Sequence, residues 1–352
     1  MGERGADTVN RIKWFDAVRA FGLFLVLGYH LFYNLLPSGF LGVDIFFTFS
    51  GFLITALFLE EVRKKGDFDL PKYFKRRARR IILPLFLSVA LTLPAVMLIS
   101  PDFSVGISKQ AASALSFTAN WYNIGIGASY EAQLIPQIYG HTWSLAILMQ
   151  FYVGWGGICA LLTMLSKAVQ KKFSNKQYIF VKRLVLLLSV LIAAGSYVYM
   201  QWLHTVVSDL NMIYFNTAAR LFPFFIGSAA AVVWGMYPKQ DKSLKKKLLT
   251  KHPGIKTAAF ITIILVVIAA IVLVFSQHDF SDDFIYKYGF LFTPFLTVAL
   301  IYSAHALHIL TPQKKKEPRA LTIAAEMSYD MYLYHWPIYI VLSALIMNNM
   351  VA

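Results

Sequence analysis

Apolar runs of about 20 residues recur along this 352-residue sequence from one end to the other. A helix of that length crosses a hydrocarbon layer of about 30 Å. The chain is 58% hydrophobic and 14% charged, whereas ordinary soluble domains have about 45–50% and about 25%. A soluble core of this size could not hide so much apolar surface from water. We therefore predict an all-α, polytopic transmembrane helical bundle.

The spacing of the runs predicts about nine membrane spans within a single domain, 1–352. The stretch between the third and fourth spans, 105–140, is more polar, and we predict a re-entrant or interfacial segment there, buried against protein. This stretch leaves a tenth span open. The first run carries a central arginine and no small-residue cleavage site, which indicates a retained helix and not a signal peptide. The predicted spans are 15–33, 41–60, 81–99, 143–166, 184–203, 213–236, 257–276, 287–308 and 329–349.

Basic residues are confined to alternate loops of the nine-span arrangement. The segments 1–14, 62–80, 167–183, 239–256 and 313–319 hold 29 of the 33 lysines and arginines. Under the positive-inside rule these loops face the cytoplasm, so the N-terminus is predicted inside and Ala352 outside. The net charge of +15 is then a topology signal. It favours anionic lipid headgroups as partners over nucleic acid.

Three polar residues of the first span fall on one helix face. At 100° per residue, Asp16, Arg19 and His30 lie within about 60° of one another. Arg19 and His30 are about 16 Å apart along the axis, so we expect them to line one channel at two depths. One interpretation is structural, with an Asp16–Arg19 pair and a hydrogen-bonded interfacial histidine. The other places an anionic ligand at Arg19 and proton transfer at His30, because imidazole suits that task near neutral pH.

Five stretches resemble, in order, the motifs of membrane acyltransferase family 3. The resemblance covers nearly the whole chain and is nearest to the membrane domain of Gram-positive peptidoglycan O-acetyltransferases. That domain often precedes an extracellular SGNH esterase-like domain. The stretches are Arg19 followed after ten residues by His30, GFLGVDIFFTFSGFLIT (39–55), YFKRRARRIILP (73–84), HTWSLAILMQFY (141–152) and SYDMYLYHWP (328–337).

The resemblance implies a membrane O-acyltransferase that moves an acyl group from a cytoplasmic donor to hydroxyls of a cell-envelope glycan such as peptidoglycan. Acetyl-CoA is the expected donor, and no metal is expected. His30 is then a base for the acceptor hydroxyl or a transient acyl carrier. Arg77 and Arg80 match the Arg-x-x-Arg element and are expected, with Arg19, to bind donor phosphates. Without the resemblance, Arg77 and Arg80 would be interpreted as topology anchors.

Further candidates follow from the same motifs, each with a structural alternative. Asp44 is expected to orient His30, to offset an arginine, or only to end a helix. Trp143 and Ser144 open the fourth span, where Ser144 is a catalytic candidate or an N-cap. Arg220 lies near the outer end of its span and either serves the site or extends to lipid headgroups. Tyr332 and His335 belong to the last motif, and His335 either takes part in the chemistry or shapes the final helix.

Two departures from the family pattern limit the prediction. The family usually carries a glutamate where this chain has Leu148, which suggests a catalytically impaired variant if that carboxylate is essential. A restored glutamate would have Arg220 or His30 as its expected partner. Relatives also usually continue with one more helix after the His-Trp-Pro segment, which we expect to be absent here, as is an SGNH-type domain.

Two other classes of function remain open at this stage. A flippase for a lipid-linked sugar would also place arginine, aspartate and histidine in a water-filled cavity. We find no inverted repeat and no paired interrupted spans, which many transporter folds have. A catalytically dead scaffold is the other alternative. The single cysteine, Cys159, permits no intrachain disulfide.

Overall fold

The computed structural model of the protein describes residues 13–99, 105–129, 137–169, 175–235, 248–250, 252–311, 323 and 327–351. Within these ranges the chain is helical and has no β-strand, which confirms the all-α class. A π-helical turn, Ile285–Gly289, leads into α11. The α-helices are α1 (Lys13–Leu31), α2 (Gly42–Lys65), α3 (Leu70–Ile99), α4 (Ile107–Leu115), α5 (Ala119–Gly125), α6 (Trp143–Val169), α7 (Asn175–Val206), α8 (Leu210–Tyr214), α9 (Phe222–Trp234), α10 (Pro253–Gln277), α11 (Phe290–Leu310) and α12 (Ser328–Val351).

Six described segments are long and apolar enough to cross a membrane, so the protein is a multi-pass membrane protein. The predicted spans 15–33 and 329–349 match α1 and α12, which are not among the six. The predicted span 213–236 is not one continuous helix, because α8 ends at Tyr214 and the shorter α9 begins at Phe222. The count of nine stays a prediction. The basic segments 1–14, 239–256 and 313–319 lie mostly outside the described residues. The six segments are Gly39–Lys65, Leu70–Leu98, Gly140–Lys167, Asn175–Val206, Pro253–Gln277 and Ile285–Leu310.

The centre of the bundle is the contact between α2 and α9, where the two backbones touch. A Cβ atom at Gly51 would lie 1.8 Å from the carbonyl oxygen of Phe224. A Cβ atom at Gly227 would lie 1.9 Å from the carbonyl oxygen of Thr48. Neither distance is possible for a real side chain, so glycine is required at both places. Small residues let helices in a membrane approach closely and gain packing energy.

The connection from α2 to α3 is short and fixed. α2 ends at Lys65, and Gly66 follows in the left-handed conformation (φ 67°), with its N–H donating to the carbonyl oxygen of Val62. Such a residue closes a helix without strain only if it is glycine. The Asp67 carboxylate lies 2.6 Å from the Lys167 ammonium at the end of α6. Their hydrogen bond holds the pKa of Asp67 below its usual range.

The segment 105–140 contains α4 and α5, two short helices that pack against the bundle. Asn120 of α5 is fully buried and belongs to a closed set of side-chain hydrogen bonds. Gln150 of α6 donates to Asn120 (3.0 Å), Asn120 donates to Thr217 (2.9 Å), and Thr217 donates to Gln150 (2.6 Å). Protein groups therefore satisfy this polar side chain, as expected for a segment buried against protein. Its depth in a membrane stays a prediction.

Candidate active site

A cavity of about 330 Å³ lies between α1, α2, α3, α6 and α12. Four arginines line it, Arg19 from α1 and Arg76, Arg77 and Arg80 from α3, and we call it the arginine cavity. No aspartate or glutamate is among its described lining residues. Glu61 approaches Arg76 only to 3.9 Å. Guanidinium groups pair well with phosphates, so the cavity suits an anionic ligand with phosphate groups.

Neighbouring helices hold two of these arginines in place. Arg19 donates to the hydroxyl of Ser328 on α12 at 2.8 Å. The Arg77 guanidinium lies over the ring of Tyr73, 4.8 Å from its centroid. The hydroxyl of Tyr73 in turn donates to the carbonyl oxygen of Tyr152 on α6 at 3.0 Å. Stacking on a fixed aromatic ring limits the freedom of Arg77, so less entropy is lost when it binds a ligand.

Ser144, Leu148 and Tyr332 also line the arginine cavity, which confirms that Ser144 and Leu148 share one helix face. Tyr332 donates its hydroxyl hydrogen to the carbonyl oxygen of His141 at 2.7 Å. Ser144 is therefore the donor and Tyr332 the acceptor in the 2.7 Å hydrogen bond between their hydroxyls. This arrangement provides no base for Ser144, so it favours a positioning role for this serine.

A second, smaller cavity of about 20 Å³ includes in its wall His141, the residue whose carbonyl oxygen accepts from Tyr332. We call it the histidine cavity, after His30 and His141 in its wall. The ring of His335 lies 5.2 Å from that of His30 and 5.5 Å from that of His141. Trp336 also lines the cavity, with its ring 4.6 Å from that of His30. Three imidazoles thus meet within one cluster.

Asp44 and Arg220 form a buried ion pair next to this region. Their side chains are both 0% exposed, and Arg220 Nη2 donates to Asp44 Oδ2 at 2.8 Å. The guanidinium carbon lies 4.1 Å from the ring centroid of Phe290 and 5.0 Å from that of Tyr214. Trp143 lies 6.0 Å away. Aromatic faces therefore surround the part of the arginine that the carboxylate does not reach.

These contacts decide several of the alternatives drawn from the sequence. Asp44 offsets an arginine and makes no hydrogen bond to His30. The prediction that Arg220 extends to lipid headgroups is wrong, because its charge is fully buried against Asp44. Arg19 and His30 line two cavities instead of one channel. Asp16 is buried on α1, and its pairing with Arg19 stays a prediction.

Residue 148 faces the arginine cavity. Leu148 lines it, whereas neither His30 nor Arg220 is among its described lining residues. The four arginines of the cavity are therefore further candidate partners for a glutamate at this position. The expected contact of such a glutamate with Arg220 or His30 stays a prediction.

Sequence reasoning missed three residues of the site. His141 stands two positions before Trp143 in an assigned motif, so the motif itself was an available signal. Arg76 directly precedes Arg77 in a run of five basic residues in six positions, and nothing in that run distinguishes Arg76 from its neighbours. Ser328 opens the motif at 328–337, so the same signal was available there, but a serine at a helix start is common and drew no attention. The described residues contain no group of three or more metal-binding side chains.

A protein-family model described as "Acyltransferase domain" matches residues 12–352. O-acetyltransferase OatA of Staphylococcus aureus is 28% identical over 324 residues, 92% of this chain and 50% of that protein. Putative peptidoglycan O-acetyltransferase YrhL of Bacillus subtilis is 31% identical over 336 residues, 94% of this chain and 49% of that protein. Peptidoglycan O-acetyltransferase OatA of Listeria monocytogenes is 28% identical over 333 residues, 92% of this chain and 48% of that protein. The chain thus spans about half the length of these relatives, and no solved structure matches it.

Proposed function

Because the chain belongs to the membrane acyltransferase family 3, we propose that it is a membrane O-acyltransferase. It transfers an acyl group, acetyl in the simplest case, from acyl-CoA on the cytoplasmic side to hydroxyls of a cell-envelope glycan. The Listeria monocytogenes relative is named a peptidoglycan O-acetyltransferase and the Bacillus subtilis relative a putative one, which supports peptidoglycan as the acceptor. An SGNH-type partner on the outer side is part of the same proposal.

One observation carries this proposal: the Tyr332 hydroxyl joins a cavity lined by four arginines to the histidine cluster. Tyr332 lines the arginine cavity, and its hydroxyl donates to the backbone carbonyl oxygen of His141, a residue of the histidine cavity. Acyl transfer between a charged donor and a neutral alcohol needs both environments next to each other. A binding module for anions would need only the first.

The proposed step uses the chain's own side chains on both substrates. Arg19, Arg77 and Arg80 bind the phosphates of acyl-CoA. The acceptor hydroxyl gives its proton to His30, its oxygen bonds to the acyl carbon, and the carbon–sulfur bond to CoA breaks. The CoA thiolate then takes up a proton. In the alternative, the acyl group rests on a nitrogen of His30 before it reaches the acceptor.

The proposed topology follows from the charge distribution. All nine predicted spans cross the membrane, with the N-terminus in the cytoplasm and Ala352 outside. The arginine-bearing end of α3 then faces the cytoplasm, where acyl-CoA is made available. His30, three turns beyond Arg19 on α1, then lies nearer the outer surface.

Release of CoA tests the proposal directly. Purified protein in lipid nanodiscs exposes both faces, so acetyl-CoA and soluble peptidoglycan fragments can be added together with a thiol-reactive dye. We expect acceptor-dependent thiol release that disappears in His30→Ala and persists in the matched control His278→Ala, a histidine paired with Asp282 in a loop. Movement of a lipid-linked sugar in liposomes without thiol release would instead identify a flippase. Donor binding without either activity would identify the variant impaired by Leu148.

A further inference from the structure

The histidine cavity has the size of a single small polar group. Its volume is about 20 Å³, and a cavity needs about 10–15 Å³ to hold one water molecule. Its wall includes Asn123, Gln137 and His141 besides His30 and Trp336. No lysine, arginine, aspartate or glutamate is among the described lining residues. A cavity with polar but uncharged walls suits a neutral hydroxyl and not an ion.

His141 offers this cavity a hydrogen-bond acceptor. The residue is 6% exposed, and its Nε2 lies 3.1 Å from the carbonyl oxygen of Leu333. A carbonyl only accepts, so Nε2 carries the hydrogen, and Nδ1 of the neutral ring bears a lone pair. Among the described residues, Nδ1 has no hydrogen-bond partner. A buried acceptor without a partner is costly, and an O–H group in the cavity would satisfy it.

His335 repeats the pattern beside it. Its Nδ1 lies 2.6 Å from the carbonyl oxygen of Tyr332, so the hydrogen is on Nδ1 and the lone pair on Nε2. Nε2 of His335 is buried and also has no hydrogen-bond partner in the described part of the chain. Each of the two rings therefore donates its N–H to a backbone carbonyl, which fixes the ring and leaves the lone pair of the other nitrogen next to the His30 cluster. Both lone pairs need a hydrogen donor.

We propose that the histidine cavity is the subsite for one hydroxyl group of the acceptor, and that His141 is its binding residue. The hydroxyl hydrogen points to Nδ1 of His141, and Trp336 provides a flat wall for the carbon atoms next to the hydroxyl. A water molecule occupies the same place when no acceptor is bound. This inference rests on the proposed acyltransferase function and adds to it the residue that holds the acceptor.

The subsite is compatible with both routes of transfer. Where His30 is the base, the hydroxyl hydrogen turns from His141 to His30 as the oxygen bonds to the acyl carbon and the carbon–sulfur bond breaks. Where His30 carries the acyl group, His141 receives the proton while the bond from the acyl carbon to the His30 nitrogen breaks. In each route one proton leaves the hydroxyl and one ester bond forms.

Small alcohols test the subsite through its size. With acetyl-CoA as donor, the protein is supplied with methanol, ethanol or 2-propanol, and the acetate esters are measured by gas chromatography together with CoA release. We expect methanol to react at least about tenfold faster than 2-propanol, because 2-propanol has two extra carbons and even one in a tight pocket costs about that factor. His141→Ala should slow methanol and raise the 2-propanol to methanol ratio. The KM for acetyl-CoA should not change, since the arginine cavity is separate.

Two further variants keep the test decisive. Asn123→Ala enlarges the same cavity from α5 and should also raise the 2-propanol to methanol ratio, even if His141→Ala does not fold. His278→Ala should leave that ratio unchanged. Acceptor-dependent CoA release with the glycan, combined with no size preference or an unchanged ratio in both cavity variants, would overturn the subsite and leave the proposed function standing. Absence of CoA release with every acceptor would overturn both.

Discussion

Asp44 and Arg220 keep two opposite charges away from both water and lipid headgroups. Removing both charges from water costs several kcal/mol per ion, and their attraction offsets this only while both are present. Asp44→Ala should therefore lower the free energy of unfolding by about 3–5 kcal/mol, because it leaves a guanidinium buried without its carboxylate. Arg220→Met should have a similar effect. Thermal unfolding in detergent, followed by fluorescence, measures each change.

The double variant Asp44→Ala, Arg220→Met is the control for that pair. It removes both charges, so it should unfold at a higher temperature than either single variant. If the loss of unfolding free energy in the double variant equalled the sum of the losses in the two single variants, the two residues would act independently. The pair would then not be what stabilises this part of the bundle.

Arg77 and Arg80 are expected to act on the donor. Loss of a charge-assisted hydrogen bond to phosphate costs about 1.5–3 kcal/mol, so Arg77→Ala and Arg80→Ala should each raise the KM for acetyl-CoA at least about tenfold, with a smaller change in kcat. Lysine should rescue only in part, because it lacks the planar fork. Arg79→Ala is the matched control, since Arg79 is exposed on α3 outside the cavity. Equal effects at positions 77 and 79 would reduce these arginines to topology anchors.

Leu148 allows a test of the departure from the family motif. Leu148→Glu would place a carboxylate in a cavity with four arginines, so its burial cost should be largely offset. We expect higher acceptor-dependent CoA release and a melting temperature within a few degrees of the parent. Leu148→Gln, which is similar in size and neutral, separates charge from shape. A folded glutamate variant with no gain would make position 148 a packing site in this protein.

Individual side chains of the site were predictable only where a motif named them. His30, Tyr332 and Arg77 stood in motifs, and each of them lines one of the two cavities. The partner of Asp44 was not predictable, because Arg220 is 176 residues away and periodicity reports a helix face without its neighbour. For the same reason the sequence did not indicate that Leu148 lines a cavity with four arginines.

Helices were predicted more securely than side-chain partners. A helix lies at each predicted span because a 20-residue apolar run has few alternatives in a membrane. What the runs could not report is which helices touch. The contact of α2 with α9 depends on two glycines in separate spans. A single sequence does not indicate which of its glycines lie at a helix contact.

The glycine contact between α2 and α9 predicts an unequal response to alanine. Gly227→Ala would force its Cβ into the carbonyl of Thr48, so the helices must separate and lose packing, at a cost of several kcal/mol. Gly157→Ala on α6 is the matched control, because no atom lies within 4 Å of its Cβ position. Thermal unfolding of both variants gives the comparison. A Gly227 variant as stable as the Gly157 variant would contradict the close approach.

At the scale of the whole molecule, the proposed topology is testable by labelling. The only cysteine, Cys159, is buried, so Cys159→Ala provides a background without reactive thiols. In that background Ser281→Cys should react with an impermeant maleimide on intact cells. Lys72→Cys should react only after the membrane is opened. Both positions are exposed. The reverse pattern would invert the orientation and place the arginine cavity on the outside.

α12 is the last described helix, and it contributes to both cavities. It supplies Ser328 and Tyr332 to the arginine cavity and Trp336 to the histidine cavity. During synthesis on the ribosome, every earlier helix can enter the membrane while both cavities still lack a wall. A nascent chain should therefore be unable to react with acyl-CoA until this helix arrives. Biogenesis would then contain its own safeguard, since activity starts only after α12 has been inserted.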